Sequence, residues 1–254
     1  MTEISNTPLI LLHGFAQTPQ SWQTTIDHLP GGREIHAIEL LGHGETALQS
    51  GEPSVDSVRE HVLEEMADLA VEAAIVWGYS QGARVAMDLA LHAHSHVSGL
   101  ILESGIPGIE NPVDRASRRS RDAAMAGRIE SAPIEEFVEL WEKVPALSGQ
   151  SSEVIERQRP DRLSHDPQAL AAALRGIGQA AYEPMWERLR VVEVPVLLIT
   201  GERDAVYTAH ADRMAGTLPD AIHVSIAHAG HAVHIAEPEA AAAAVERFLE
   251  LRFS

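Results

Sequence analysis

Ser80, Asp204 and His231 are the residues of this chain whose types and spacing suit them to work on a proton together. Ser80 sits in Gly78-Tyr79-Ser80-Gln81-Gly82, between the apolar run Ala74-Ile75-Val76-Trp77 and the apolar-faced Ala83-Arg84-Val85-Ala86-Met87. A G-x-S-x-G sequence in that position reads as strand, sharp turn and helix, with the glycines keeping bulk away from a strained backbone and the serine hydroxyl left exposed. A lone serine hydroxyl is a weak base or nucleophile. An imidazole accepts its proton near neutral pH, and a carboxylate fixes the imidazole tautomer and stabilises the imidazolium that forms. The plain alternative for Ser80 is an ordinary helix N-cap.

The remaining parts follow other predicted strands, where open α/β sheets place their ligands. Asp204 ends Gly201-Glu202-Arg203-Asp204 and His231 ends Ala229-Gly230-His231. The order serine, aspartate, histidine is that of the α/β-hydrolase triad. With 14 histidines in the chain, His231 has rivals in His228 and His234, and Glu103 is a rival acid at the end of an earlier strand. His13-Gly14-Phe15 closes the first apolar run, so the backbone N–H groups of Phe15 and of Gln81 are the expected oxyanion hole.

The elements that must position these groups are legible as alternation. Apolar strands are expected at Leu9 to Leu12, Glu34 to Glu39, Ala74 to Trp77, Val97 to Leu102, Val194 to Thr200 and Ile222 to Ile226. Helical spacing is expected from Thr18 to about Asp27, from Val55 to Val71, after Ser80, near Ala209 to Thr217 and from Pro238 to Leu251. Such alternation predicts an α/β fold, a mostly parallel sheet with helices on both faces. Strands stop between 106 and 189, where helical patches near Val113 to Gly127, Pro133 to Lys143, Ser152 to Arg159 and Pro167 to Gln179 predict an all-helical cap inserted between core segments 1–105 and 190–254.

A chain of 254 residues, 45% of them hydrophobic, can fill such a core. Its formal charge of −18 argues against partners that present phosphates, whether nucleic acid or an anionic membrane. The absence of cysteine removes disulfides and thiol catalysis. Met1 to Thr7 carries no basic segment and Pro8 to Leu12 is too short for a signal peptide or a membrane span, so a cytoplasmic location is expected. No cofactor and no metal ion is expected, and no feature of the sequence sets an oligomeric state.

Eighteen of the nineteen basic residues are arginine, and Arg115, Arg118, Arg119, Arg121, Arg128, Arg157, Arg159 and Arg162 fall in the helical insertion. Arg84 lies one helical turn beyond Ser80. Guanidinium forks bind carboxylates bidentately, so several arginines over one site suit a small-molecule substrate with several carboxylates. For Arg119, Arg121 and Arg128 a solvated helix face is the expected role.

Gly78-Tyr79-Ser80-Gln81-Gly82-Ala83-Arg84-Val85-Ala86-Met87, Leu102-Glu103-Ser104-Gly105-Ile106-Pro107-Gly108, Gly201-Glu202-Arg203-Asp204 and Ala229-Gly230-His231 resemble the 2-succinyl-6-hydroxy-2,4-cyclohexadiene-1-carboxylate synthases of menaquinone biosynthesis. Tyr79 with Arg84, Glu103 to Gly108, Arg118, Trp141, and Arg162 ahead of Leu170-Ala171-Ala172 are the more specific matches. The resemblance implies a lyase: Ser80, activated by His231 and Asp204, takes a proton from a cyclohexene, and pyruvate leaves without an acyl-enzyme. It implies that Arg84, Arg118 and Arg162 bind substrate carboxylates, with Tyr79 and Trp141 lining the pocket. The chain departs from that family's usual Leu-Gly-Gly after the serine with Gln81-Gly82-Ala83, and from its Pro-Gly-His-Gly with Leu41-Gly42-His43-Gly44. A serine hydrolase acting on esters or on carbon–carbon bonds of small acids is the second reading, because the same triad supports acyl transfer. A non-catalytic ligand receptor on this fold is the third.

Overall fold

The structure, a computed structural model, describes residues 7–46, 52–144, 147 and 150–253. Six strands, β1 (Leu9–Leu12), β2 (Ile35–Ile38), β3 (Ala74–Tyr79), β4 (Val97–Glu103), β5 (Val196–Gly201) and β6 (Ala221–Ile226), form one sheet in the order β2-β1-β3-β4-β5-β6. Every neighbouring pair is parallel. Strands buried on both faces read as continuous apolar runs, and β1, Leu-Ile-Leu-Leu, is fully buried along its length.

Side chains alternate between two cores, as the two-residue period of a strand requires. Ile10, Leu12, Val76, Leu100 and Leu198 face a layer built from α2 (Val55–Asp68), α3 (Gln81–His92) and α8 (Ala205–Ala215). Leu9, Leu11, Ile75, Trp77, Ile101 and Leu197 face the opposite layer, where Trp22, Val245, Phe248 and Leu249 pack, the last three on α10 (Pro238–Arg252). The predicted first helix is a 3-10 turn, Pro19–Trp22, running into the short α1 (Gln23–Ile26), with Thr18 as its cap. The helix expected near Ala209 begins earlier, at Ala205, because the Asp204 side chain accepts the Tyr207 N–H and caps it.

Between β4 and β5 the described residues contain no strand. They form α4 (Pro112–Ser131), α5 (Ile134–Trp141), α6 (Ser152–Leu163) and α7 (Pro167–Ile177). Of these, α4, α5 and α7 share a separate apolar cluster of Ala126, Ile129, Phe137, Val138, Leu170, Ala171 and Leu174, which the partly buried Leu163 of α6, and Ala16 and the partly buried Phe15 from the loop after β1, also join. That packing holds the loop that follows β1 against the helices above the strand ends.

Candidate active site

The turn between β3 and α3 carries Ser80 at φ 52°, a left-handed backbone that a serine adopts only under constraint. The constraint is steric. A Cβ on Gly78 would sit 2.2 Å from the Gly82 carbonyl oxygen, and one on Gly82 would sit 2.1 Å from the Leu12 carbonyl oxygen. The turn is then tied to its neighbours on both sides: the Ser80 N–H donates to the Glu103 carbonyl at 2.8 Å and the Gly82 N–H to the His13 carbonyl at 3.1 Å.

Asp204 and His231 enter from the ends of β5 and β6, and the Arg203 N–H bonded to the Ala229 carbonyl at 3.0 Å joins their two loops. The Asp204 carboxylate divides its oxygens. One caps α8, and the other meets His231 Nδ1 at 2.6 Å. With Nδ1–H donated to that carboxylate, Nε2 is free to accept, and it lies 3.1 Å from Ser80 Oγ. Asp204 and His231 are both buried. The arrangement can draw the hydroxyl proton off Ser80 and hold it on the imidazole.

The rivals are elsewhere. His234 Nδ1 and its backbone N–H both meet Glu103 Oε1, at 2.7 and 3.0 Å, and Trp77 Nε1 donates to Glu103 Oε2 at 3.3 Å. Glu103 and His234 have no exposed surface, and His234 stacks on Trp22 with ring centres 4.1 Å apart. His228 is an exposed turn residue whose N–H donates to Glu202.

Above Ser80 lies a cavity of about 350 Å³, lined by Ser80, His231 and all the residues singled out for the oxyanion hole and substrate, namely Phe15, Gln81, Tyr79, Arg84, Arg118, Trp141 and Arg162. Asp204 stands behind His231. Gln81 is the first residue of α3, so its N–H has no partner inside the helix. Neither that N–H nor the one on Phe15 is given to another group among the described residues. The Phe15 ring meets Trp141 edge to face at 5.0 Å, and Tyr79 lies against His231 at 5.4 Å.

The arginines are held in different ways. Arg84 is buried; among the described residues its Nη1 reaches the Ser80 carbonyl at 3.4 Å and its Nε has no hydrogen-bond partner, and burial holds its pKa below the ordinary guanidinium value. Arg162 is buried as well, donates to Gln158 Oε1 at 2.9 Å and pairs with Glu142 at 3.3 Å; burial again lowers its pKa. Arg118 Nε donates to Asp122 Oδ1 at 2.7 Å and its Nη1 to Gln179 Oε1.

The expectation for Arg121 is corrected: it is exposed, yet it lines the cavity, one turn along α4 from Arg118, and has no ion-pair partner among the described residues. Its polar surroundings in sequence hid a position on the cavity side of the helix. Arg119 instead donates to the Ala180 carbonyl at 3.0 Å.

Sequence reasoning also missed Tyr207, whose ring lies 4.3 Å from that of His231 in the cavity wall, and whose hydroxyl pKa burial raises. The signal was present: Tyr207 occupies the third position of the helix that Asp204 caps. A second missed feature is a trio of buried histidines, His13, His43 and His165. His13 accepts the Leu40 N–H at Nε2 and pairs with the Gly14 carbonyl at Nδ1, and burial depresses its pKa to about 3. His43, 5.0 Å from the His13 ring, and His165, 5.5 Å from the His43 ring, are depressed for the same first reason.

The chain matches the alpha/beta hydrolase family over residues 9–244. A Bacillus subtilis (strain 168) protein named for 2-succinyl-6-hydroxy-2,4-cyclohexadiene-1-carboxylate synthase is 33% identical over 246 residues, covering 95% of this chain and 89% of its own. A Klebsiella pneumoniae synthase of that name is 30% identical, covering 95% and 93%. Among solved structures, that of MenH from S. aureus superposes with a TM-score of 0.93 at 30% identity, over 98% of this chain and 96% of that one. With fold, triad order and full-length similarity in agreement, the chain belongs to the alpha/beta hydrolase family and, within it, to the family of these synthases.

Proposed function

We propose that the protein is a carbon–oxygen lyase that eliminates pyruvate from a cyclohexene bearing three carboxylates, the reaction its synthase relatives are named for. The observation that carries this reading is the joining of a Ser80–His231–Asp204 relay to a cavity lined by Arg84, Arg118, Arg121 and Arg162. In a chain of net charge −18, four guanidinium groups around one cavity make a local field for an anion. Residues 106–189 act as a cap over a core made of 1–105 and 190–254, and the work takes place in the cytoplasm.

His231 takes the Ser80 proton, and Ser80 Oγ takes the proton from the ring carbon that bears the succinyl group. That C–H lies beside a carbonyl, so the electron pair spreads onto oxygen, where the Phe15 and Gln81 N–H groups receive it. The pair then returns through the ring, forms the new double bond and breaks the bond to the enolpyruvyl oxygen. The leaving enolate takes up the proton held on His231, which returns the relay to its starting state, and ketonises to pyruvate. Arg84, Arg118 and Arg162 hold the carboxylates, with Tyr79 and Trp141 as apolar walls, so that the reacting C–H is presented to Ser80. The Glu142 and Asp122 partners of Arg162 and Arg118 keep those guanidinium groups in place before substrate arrives.

The second reading, a serine hydrolase, draws on the same relay, but a pocket for a simple ester is mostly apolar. Assay of pyruvate release from the cyclohexene substrate beside hydrolysis of p-nitrophenyl esters separates the two. Lyase turnover that far exceeds ester turnover supports the proposal; rapid ester turnover with no pyruvate overturns it.

A further inference from the structure

Two glutamines join the core side of the cavity to its cap side. Gln17 lies in the loop after β1 and Gln158 on α6, and both are buried and line the cavity. The Gly14 N–H donates to Gln17 Oε1 at 3.1 Å, Gln17 Nε2 donates to Gln158 Oε1 at 3.0 Å, and the same Gln158 oxygen accepts from Arg162 Nη2 at 2.9 Å. A backbone N–H and a guanidinium can only donate, so the two amides between them have one consistent orientation.

Gly14 precedes Phe15, whose N–H is one of the two oxyanion donors, and a glycine backbone is intrinsically loose. The Gly14 carbonyl and the Phe15 N–H share one peptide plane. His13 Nδ1 meets that carbonyl at 2.9 Å, and Gln17 holds the N–H on the other side of the Gly14 Cα. A Cβ on Gly14 would sit 2.5 Å from the Tyr79 ring, so a stiffer residue cannot replace these anchors.

We infer that Gln17 is a positioning residue that sets the Phe15 N–H through Gly14 and the Arg162 guanidinium through Gln158. The inference rests on the proposed reaction and goes beyond it: one side chain couples the seating of a substrate carboxylate on Arg162 to the donor that receives charge at Phe15. The competing role is a plain fastening of α6 to the core, and the molecule carries such a fastening one residue away. Thr18 donates to Asp161 through its N–H at 3.0 Å and its hydroxyl at 2.5 Å, which joins the same loop to the same helix without lining the cavity.

The test measures kcat and KM for pyruvate release, with the melting temperature, in wild type, Gln17→Met, Gln17→Glu, Gln158→Met and Thr18→Val. Gln17→Met keeps the length of the side chain and removes both links, so kcat should fall about 10- to 100-fold as an oxyanion donor is displaced, and KM should rise roughly tenfold. Gln158→Met breaks only the Arg162 end. Gln17→Glu still accepts from Gly14 but has no proton to give Gln158. Both should raise KM roughly tenfold and leave kcat close to wild type, the signature of lost substrate binding alone. Thr18→Val should lower the melting temperature with kcat and KM close to wild type. Unchanged kcat in Gln17→Met, or an equal loss in Thr18→Val, makes the contact a fastening and overturns the inference while the lyase stands. If Gln17→Met does not fold, Gln17→Glu decides: kcat retained with KM raised supports the inference, and kcat lost overturns it. Wild type that releases no pyruvate overturns the proposed reaction itself, and this inference with it.

Discussion

His231 and His234 stand three residues apart, each joined through Nδ1 to a carboxylate at nearly the same distance, 2.6 Å to Asp204 and 2.7 Å to Glu103. Their other ring nitrogens differ. His231 Nε2 meets Ser80 at the cavity, whereas His234 Nε2 is buried with no hydrogen-bond partner among the described residues, and its ring is stacked on Trp22 beside the Tyr79 ring. The distance between a histidine and an acid therefore says little about work. What separates the two pairs is whether the second nitrogen faces a reacting group. Glu103 also receives the His234 backbone N–H and the Trp77 indole, so this pair fixes the start of α9 (Val233–Ala236), immediately after His231. In the proposed reaction one pair moves a proton, while the other holds the loop that carries the first.

Breaking each pair should give opposite signatures. Asp204→Asn should lower pyruvate release by about 10³ to 10⁴-fold, as expected when the imidazole loses its tautomer control, with the melting temperature changed little. Glu103→Ala strands a fully buried histidine and should cost roughly 3 to 5 kcal/mol of stability, read as a lower denaturant midpoint. The activity per folded molecule should stay within about tenfold of wild type, short of the roughly 10²-fold that even the mildest loss of a proton-transfer group costs. If Glu103→Ala instead abolished turnover with the midpoint intact, Glu103 would be the working acid and the assignment would reverse.

Next in size come the arginines. Arg84→Ala, Arg118→Ala or Arg162→Ala each removes charge-assisted hydrogen bonds worth about 1.5 to 3 kcal/mol, so KM should rise roughly 10- to 100-fold with a smaller change in kcat. An unchanged KM in all three would remove the carboxylate clamp from the account.

The trio of buried histidines, His13, His43 and His165, extends the holding side of the comparison to pH. Folded His13 stays neutral down to about 3, while the unfolded chain protonates at the ordinary 6.5. Between those values the unfolded state carries the additional proton, so stability present above 6.5 is lost as pH falls, by at most about 1.4 kcal/mol per pH unit for each such histidine. His43 and His165 are shifted in the same direction. Melting temperatures measured from pH 7 to 5 should fall; a flat profile would show that the trio takes up protons without opposing the fold.

The smallest effect belongs to Arg121. As an exposed cation at the cavity edge it should help attract the anionic substrate, so Arg121→Ala should lower kcat/KM a few-fold at low salt and less at high salt. Equal loss at both salts would mean direct, desolvated contact.

The meeting of Ser80, Asp204 and His231 was readable in the sequence because each residue follows a strand end, and strand ends are marked by where apolar runs stop, as at Trp77-Gly78, Thr200-Gly201 and Ile226-Ala227. Arg84 was readable from its one-turn spacing to Ser80. Arg121 was not, because α4 is polar around much of its circumference and periodicity alone does not say which polar side turns toward a cavity. Tyr207 was hidden by an expected helix start four residues too late, since Asp204 reads as a functional acid while it also serves as a cap. Glu103 and His234 lie 131 residues apart in the chain, a pairing that only the packed fold brings about.

The most direct test of the central claim, that Ser80 is a proton acceptor, is intact-mass analysis of the enzyme quenched during turnover, with pyruvate counted in the same sample. With Ser80 as a proton acceptor, one pyruvate should appear per substrate consumed, the protein mass should stay unmodified throughout, and Ser80→Ala should lose turnover. A covalent substrate fragment accumulating on Ser80 during turnover would contradict it.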